Sequence, residues 1–282
     1  MIRWTKRETI FFLSIASIVT ILYEVVGFSW LMLPWTPIAL VGTAVAFLIG
    51  FQNNAAYGRI WEVRKIWGGI VNTSRTWTMM VKDMVSNEYA ESHKSLDEIN
   101  SEVRVLVYRH IAWMTALRHA MRQRKPWETF ASNKSNQEWL KMLNIPEHRH
   151  TVEEEMGPLL SAEELELIMT KTNKSAALLS LQSQHLKKLK ESGHIWEFSF
   201  LELEAVLKEL FNLQGKSERI KNFPYPRQYA TLTYDFVNAF IFMIPFGVIP
   251  EFARIGGTLT PAHPILGGLF VWLAIPFSAI IS

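Results

Sequence analysis

Residues 34–75 read PWTPIALVGTAVAFLIGFQNNAAYGRIWEVRKIWGGIVNTSR, an apolar span that continues as a charged helix with no turn signal between its two halves. The stretch therefore predicts one long helix leaving a bilayer. Ile38 to Phe51 carries no charge, as the hydrocarbon core of a membrane demands of a crossing segment. Within it Thr43, Phe47 and Phe51 recur every four residues and share one face, while Gly42, Ala46 and Gly50 form a small-residue stripe roughly 100° round the helix. Small residues let a neighbouring helix come close. A helix with its small face against a neighbour and its aromatic face left over suits several copies ringed about an axis, with Phe47 and Phe51 as hydrophobic constrictions that gate by dewetting. Plain packing is the competing reading of an aromatic stripe at helical spacing.

Outward from this stretch, the 282 residues are 49% hydrophobic with a mean hydropathy of +0.09, an average that conceals two kinds of sequence. Both ends are strongly apolar, whereas residues 58–226 are charged and helical in pattern, so the chain reads as a polytopic membrane protein with a large hydrophilic insert. Its all-α organisation divides into 1–57, with the first two membrane helices, 58–226, the cytosolic helical region, and 227–282, with the third and fourth. A formal charge of +3 does not point to nucleic acid, because acidic and basic residues are interspersed and no basic block interleaved with aromatics occurs. The absence of Cys excludes disulfides, Cys-ligated zinc and a thiol nucleophile. MIRWTKRE precedes an apolar run without a small-residue cleavage site, which predicts a retained first helix rather than a signal peptide.

Thr9 to Tyr23 is continuously apolar and the character resumes from Val25 to Leu33, enough for one tilted or kinked span with Glu24 reaching the far headgroup region. Leu33 to Pro37 turns the chain into the second span. Arg3, Lys6 and Arg7 flank the first helix, Arg59, Arg64 and Lys65 follow the second, and the short loop between them has no positive charge, which places the N-terminus and the middle region in the cytosol. Helical spacing predicts segments over 58–86, 95–123, 134–145, 161–191 and 193–214, with a capping box at Ser161 and Glu164. Phe223-Pro224-Tyr225-Pro226 ends that region, because two prolines one residue apart cannot continue a helix. A third span follows over 229–250, then an outer loop over 250–263 and a fourth apolar helix over 264–281; with no positive flank after Ser282, the fourth is expected to be cut short.

Chemistry-bearing motifs are scarce. There is no GxxxxGK[ST], GxGxxG after a strand, GxSxG or HExxH, so the sequence offers no enzyme and implies no cofactor. His148 and His150 lie close in PEHRH, but a metal site would need further ligands and a solvated loop is the simpler reading; no metal is expected. Glu153, Glu154 and Glu155 read as a solvated helix start. Asp235 and Asn238, three apart on the third span, share a face that must meet protein or water, either as a proton or cation site or as a polar link between helices.

The segment GFQNNAAYGRIWEVRKIWGGIVNTSR, Gly50 to Arg75, resembles the motif after the second helix in the bacterial branch of the bestrophin family. Ser217 to Ile220 (SERI), the Pro224-x-Pro226 step and Ile244-Pro245-Phe246 match in the same order. The resemblance implies a homopentameric ion channel of the cell (inner) membrane, with four membrane helices per subunit, membrane lipid around it and a mostly helical cytosolic part. Carried over by position, the neck of the pore falls on Thr43, Phe47 and Phe51. The cytosolic aperture, counted from Ser192-Gly193, falls on Phe198. Thr43 is polar where relatives are commonly apolar, and the resemblance does not extend to the segment that holds the calcium clasp of animal members, so it carries no expectation of calcium gating. Aromatic rings offer no charge, so the sign of the permeant ion is not readable from them. The bacterial-type motif favours small monovalent cations such as sodium, and a chloride channel of the same architecture is the alternative. Two other classes remain: a non-conducting, membrane-anchored scaffold, and a proton-coupled carrier using Asp235, which lacks the internal repeats usual in carriers.

Overall fold

A computed structural model describes residues 6–128, 134–261 and 263–281, and all regular structure among them is helical. The chain forms two compact units, one of residues 1–57 with 225–282, the other of residues 58–224.

The first unit contains α1 (Lys6–Glu24), the start of α2 (Trp35–Met84), α9 (Arg227–Leu259), α10 (Pro264–Phe270) and α11 (Ala274–Ile281). Polar residues are accommodated inside α1 by bonding back to their own helix. Ser14, Ser17 and Thr20 donate to the carbonyls of Ile10, Leu13 and Ala16 at 2.8, 2.7 and 2.8 Å. The expected continuation of this span to Leu33 does not form: the chain turns at Gly27, whose φ of 81° suits a residue without Cβ, and makes a 3-10 turn at Ser29–Leu31.

The outer loop expected over 250–263 is helical as far as Leu259, so α9 runs 33 residues through Pro245 and Pro250. Proline at 250 cannot donate to the carbonyl four residues back, that of Phe246, and the Leu33 amide supplies the missing donor at 3.2 Å. The fourth apolar helix is in turn two short helices joined by a 3-10 turn at Val271–Leu273. α10 closes on α9 at paired glycines, where a Cβ on Gly256 would lie 2.6 Å from the Gly267 carbonyl oxygen. Val19, Ile244, Val248, Ile249, Val271 and Ala274 form the core. By length and composition two helical stretches among the described residues can cross a membrane, 29–84 and Arg227–Leu259; the apolar parts of α1 and of the last helices are shorter.

α2 is a single helix of 50 residues, roughly 75 Å at 1.5 Å per residue, as its lack of any turn signal predicts. Its C-terminal part belongs to the second unit with α3 (Leu96–Arg122), α4 (Lys134–Met142), α5 (Val152–Met156), α6 (Ala162–Met169), α7 (Lys174–Glu191) and α8 (Glu197–Asn222). Ile66, Ile70, Trp77 and Val81 recur on one face and are buried with Leu106, Trp113, Leu117, Leu178, Leu186, Leu203 and Leu210. Each such large side chain stabilises the fold by about 1.5–3 kcal/mol on burial.

Full capping boxes start α3 (Ser95, Glu98) and α5 (Thr151, Glu154), whereas Ser161 makes only the half in which its hydroxyl accepts from the Glu164 amide. The helix expected over 161–191 is divided, because Thr170 donates to the Leu167 carbonyl and Asn173 caps a new helix by accepting from Ala176. α8 starts later than expected and runs on to the Phe223-Pro224 step. Glu155 is not merely solvated: Arg118 holds its carboxylate.

Candidate pore-lining site

Along the membrane part of α2, Ile38 and Val45 are buried, at 2% and 5% exposure. Gly42 lies between them on the same face, where an added Cβ would stand 2.7 Å from the Phe240 ring of α9. Gly247 of α9 has Ile38 and Trp35 immediately against it. This face of α2 is therefore committed to α9. Thr43, Phe47 and Phe51 fall on the opposite side at 100° per residue, and there Phe47 is 66% and Phe51 70% exposed. The Thr43 hydroxyl donates to the Ala39 carbonyl at 3.0 Å, so its polar group is taken up by its own helix. Of the small stripe, Gly42 meets another helix, whereas Ala46 is exposed and Gly50 has nothing within 4 Å among the described residues.

Phe198 sits in the first turn of α8 and is 62% exposed. Its ring packs on Trp196 with centroids 4.7 Å apart, and Trp196 stacks on Tyr89 at 5.8 Å. The turn before it is a Schellman motif. The His194 amide donates to the Leu189 carbonyl at 2.8 Å and the Gly193 amide to that of Lys190 at 3.0 Å, with Gly193 at φ 74°. The Ser86 amide donates to the His194 carbonyl at 2.9 Å, fixing the turn to the end of α2.

Two of the motifs that carry the resemblance touch each other. Arg59 donates to the carbonyls of Ile220 and Phe223 at 3.0 and 2.9 Å, closing the C-terminus of α8, and Glu62 pairs with Arg219 at 2.8 Å.

Asp235 and Asn238 are exposed on α9, and Asp235 lines a shallow hollow of about 460 Å³ with Arg227, Gln228, Thr231 and Leu232. His148 and His150 stay on the surface loop, His150 lying 3.8 Å from Glu154; no three metal-ligating side chains converge among the described residues.

A buried polar network escaped the sequence reading. Arg109, 4% exposed, donates to Gln182 at 2.9 Å, lies 3.1 Å from His185 and pairs with Glu164. His185 lies 2.8 Å from Glu102, which also binds Lys94. Burial and the Arg109 charge push the His185 pKa down against the pull of Glu102. Burial pushes Glu102 up, but its bonds to Lys94 and His185 outweigh that and hold it below the usual carboxylate range. Arg109 lies between Leu106 and Trp113 on the core-facing side of α3, a position from which its burial was legible.

The family described as Bacterial/Fungal Bestrophin protein matches residues 2–262. Among curated proteins, the voltage-dependent anion channel-forming protein RSc3414 of Ralstonia nicotianae is 26% identical over 230 residues, covering 82% of this chain and 62% of its own. The voltage-dependent anion channel-forming protein YneE of Escherichia coli K12 is 23% identical over 230 residues, covering 78% and 63%. The chain thus spans less than two thirds of the length of these relatives. Two crystal structures of a bacterial bestrophin homologue from Klebsiella pneumoniae, each of a single-residue variant, share the fold. One superposes with a TM-score of 0.71 at 19% identity, over 98% of this chain and 84% of that one, and the other with 0.69 at 20%, over 97% and 83%.

Proposed function

The chain belongs to the Bacterial/Fungal Bestrophin family, and on that premise we propose that it is the subunit of a homopentameric ion channel of the inner membrane, with four membrane crossings and its N-terminus and middle region in the cytosol. The neck is formed by Thr43, Phe47 and Phe51 of five α2 helices and the cytosolic aperture by five Phe198 side chains. α1 supplies the first crossing, and α10 with α11 the fourth. The observation that carries this reading is the two-sidedness of α2. Near its start one face packs on α9 through Trp35, Ile38 and Gly42, while Phe47 and Phe51 on the other are two-thirds or more exposed. A ring of such faces around an axis is dry without being charged, and opening it is a matter of wetting.

Membrane lipid surrounds the assembly and small monovalent ions permeate it. For the sign of the ion, the motif Gly50 to Arg75 favours cations such as sodium. A second reading, chloride, is favoured by the names of RSc3414 and YneE as anion channel-forming proteins. The uncharged rings serve either.

Native mass spectrometry of the detergent-solubilised protein tests the assembly: five subunits are expected, and a monomer leaves no axis for a pore. In planar bilayers under a sodium chloride gradient the reversal potential reports the sign of the ion. Absence of any current, with capture of a cytosolic partner, replaces the channel with the scaffold.

A further inference from the structure

The second unit holds a cleft of about 970 Å³ between the C-terminal ends of α3 and α8 and the start of α7, a size within the range of small-molecule sites. Five formal positive charges line it against two carboxylates. Glu147 is paired with Arg118 at 2.7 Å, while Glu218 is bonded by the neutral amides of Asn173 and Gln214 at 3.0 and 2.9 Å and keeps its charge, one carboxylate against several cations. Lys221 is paired with Glu128, and Lys174 bonds only a backbone carbonyl. Among the described residues the side chains of Arg122, Arg124 and Lys125 have no anionic partner. The cleft therefore keeps an uncompensated positive field.

The α7 end of the same wall offers donors for an oxyanion, beside Lys174 and with the Glu218 carboxylate bonded to its Asn173 cap. α7 is an 18-residue helix that begins here, and the amides of Lys174 and Ser175, in its first turn, have no acceptor within the helix. Ser175 is 2% exposed, lines the cleft, and makes no side-chain hydrogen bond among the described residues. The residue is buried, and its unpaired hydroxyl belongs to the wall of the cleft, where a ligand can supply the partner that such groups ordinarily have.

We propose that this cleft binds a small phosphate-bearing ligand. The phosphate lies at the α7 N-terminus, where the Ser175 hydroxyl donates to it, and Arg122, Arg124 and Lys125 neutralise its charge. A guanidinium favours phosphate over halide because its planar donors match two oxygens at once. The site is separate from the α2 face on which the channel reading rests, and ligand binding to it is measurable on protein that conducts nothing.

The test is isothermal titration calorimetry on the full chain in phosphate-free detergent buffer, with three probes: inorganic pyrophosphate, a nucleoside triphosphate and soluble dihexanoyl phosphatidic acid. Saturable binding of at least one is expected. Each lost charge-assisted contact should weaken it by roughly tenfold, in the Arg122→Gln/Arg124→Gln variant and separately in Ser175→Ala. Thermal melts equal to the parent's show that these variants keep the fold. Tighter binding of the lipid analogue supports the site with a membrane headgroup as its source, and tighter binding of pyrophosphate or nucleotide supports it with a soluble one. No saturable binding of any probe, or binding that both variants leave unchanged, overturns the proposal.

Discussion

The Leu33 amide donates to the Phe246 carbonyl at 3.2 Å, the carbonyl that Pro250 leaves without its helical donor. One proline-rich turn thus repairs the backbone defect made by a proline elsewhere, and α9 passes through Pro250 instead of ending there. Leu33→Pro removes the repair and leaves an acceptor unpaired in an apolar setting, a loss of about 1–3 kcal/mol. The midpoint of thermal unfolding in detergent should fall. Adding Pro250→Ala to that variant returns a donor to Phe246 from within α9, so the double variant should recover most of the loss. A double variant no more stable than Leu33→Pro alone would show that the bond does not matter.

Phe47 and Phe51 face away from the helix that α2 packs on, so truncating either removes little packing within the chain. In the proposed channel they would form the barrier to wetting. Phe47→Ala and Phe51→Ala should each raise single-channel conductance in planar bilayers at least about twofold, the equivalent of roughly 0.4 kcal/mol off the barrier. Unchanged currents from both would remove the neck from these positions.

What the sequence disclosed followed from local signals. The unbroken α2 was legible because nothing between Ile38 and Arg75 ends a helix, and the end of the cytosolic region because Pro224 and Pro226 do, although the helical spacing stopped at 214 and α8 runs on to Asn222. What it hid depended on distant partners. Pro250 reads as a terminator unless the Leu33 amide is known to be nearby, and Glu155 reads as solvated until α5 brings it to Arg118. The break at 170–173 is made by weak signals, a threonine bonding its own turn and an asparagine cap, which a run of helix formers obscures. On the α2 face, spacing alone grouped Thr43, Phe47 and Phe51, but which side of the helix α9 covers was not in the pattern. Phe198 had no local signal of its own; only its distance from Ser192-Gly193 marked it.

Gly193 has φ 74° and its missing Cβ would stand 2.9 Å from the Ala90 Cα, with the Tyr89 carbonyl oxygen closer still. Gly193→Ala therefore meets both left-handed strain and a backbone clash, and should cost about 2 kcal/mol. It also disturbs the turn that sets the Trp196–Phe198 pair. Phe198→Ala, truncating an exposed ring, should alter conductance or rectification with little change in melting temperature. If Phe198→Ala leaves the currents untouched while Gly193→Ala destabilises the protein, the turn is structural and the aperture lies elsewhere.

His110 is 2% exposed between Trp77 and Trp113, with ring centroids 6.1 and 5.2 Å away, and neither of its nitrogens has a hydrogen-bond partner among the described residues. Burial lowers its pKa from 6.5 to about 4. Since the folded protein binds this proton less readily than the unfolded chain, the residue leaves stability intact above pH 6.5 and erodes it as pH falls through that value towards 4. The loss approaches about 3 kcal/mol by the lower pH, at 1.36 kcal/mol per unit. His110→Leu keeps the site apolar and of similar size but cannot take the proton. Its unfolding midpoint should be flatter than the parent's between pH 6.5 and 4. Parallel pH profiles in the two proteins would place the acid sensitivity in another group.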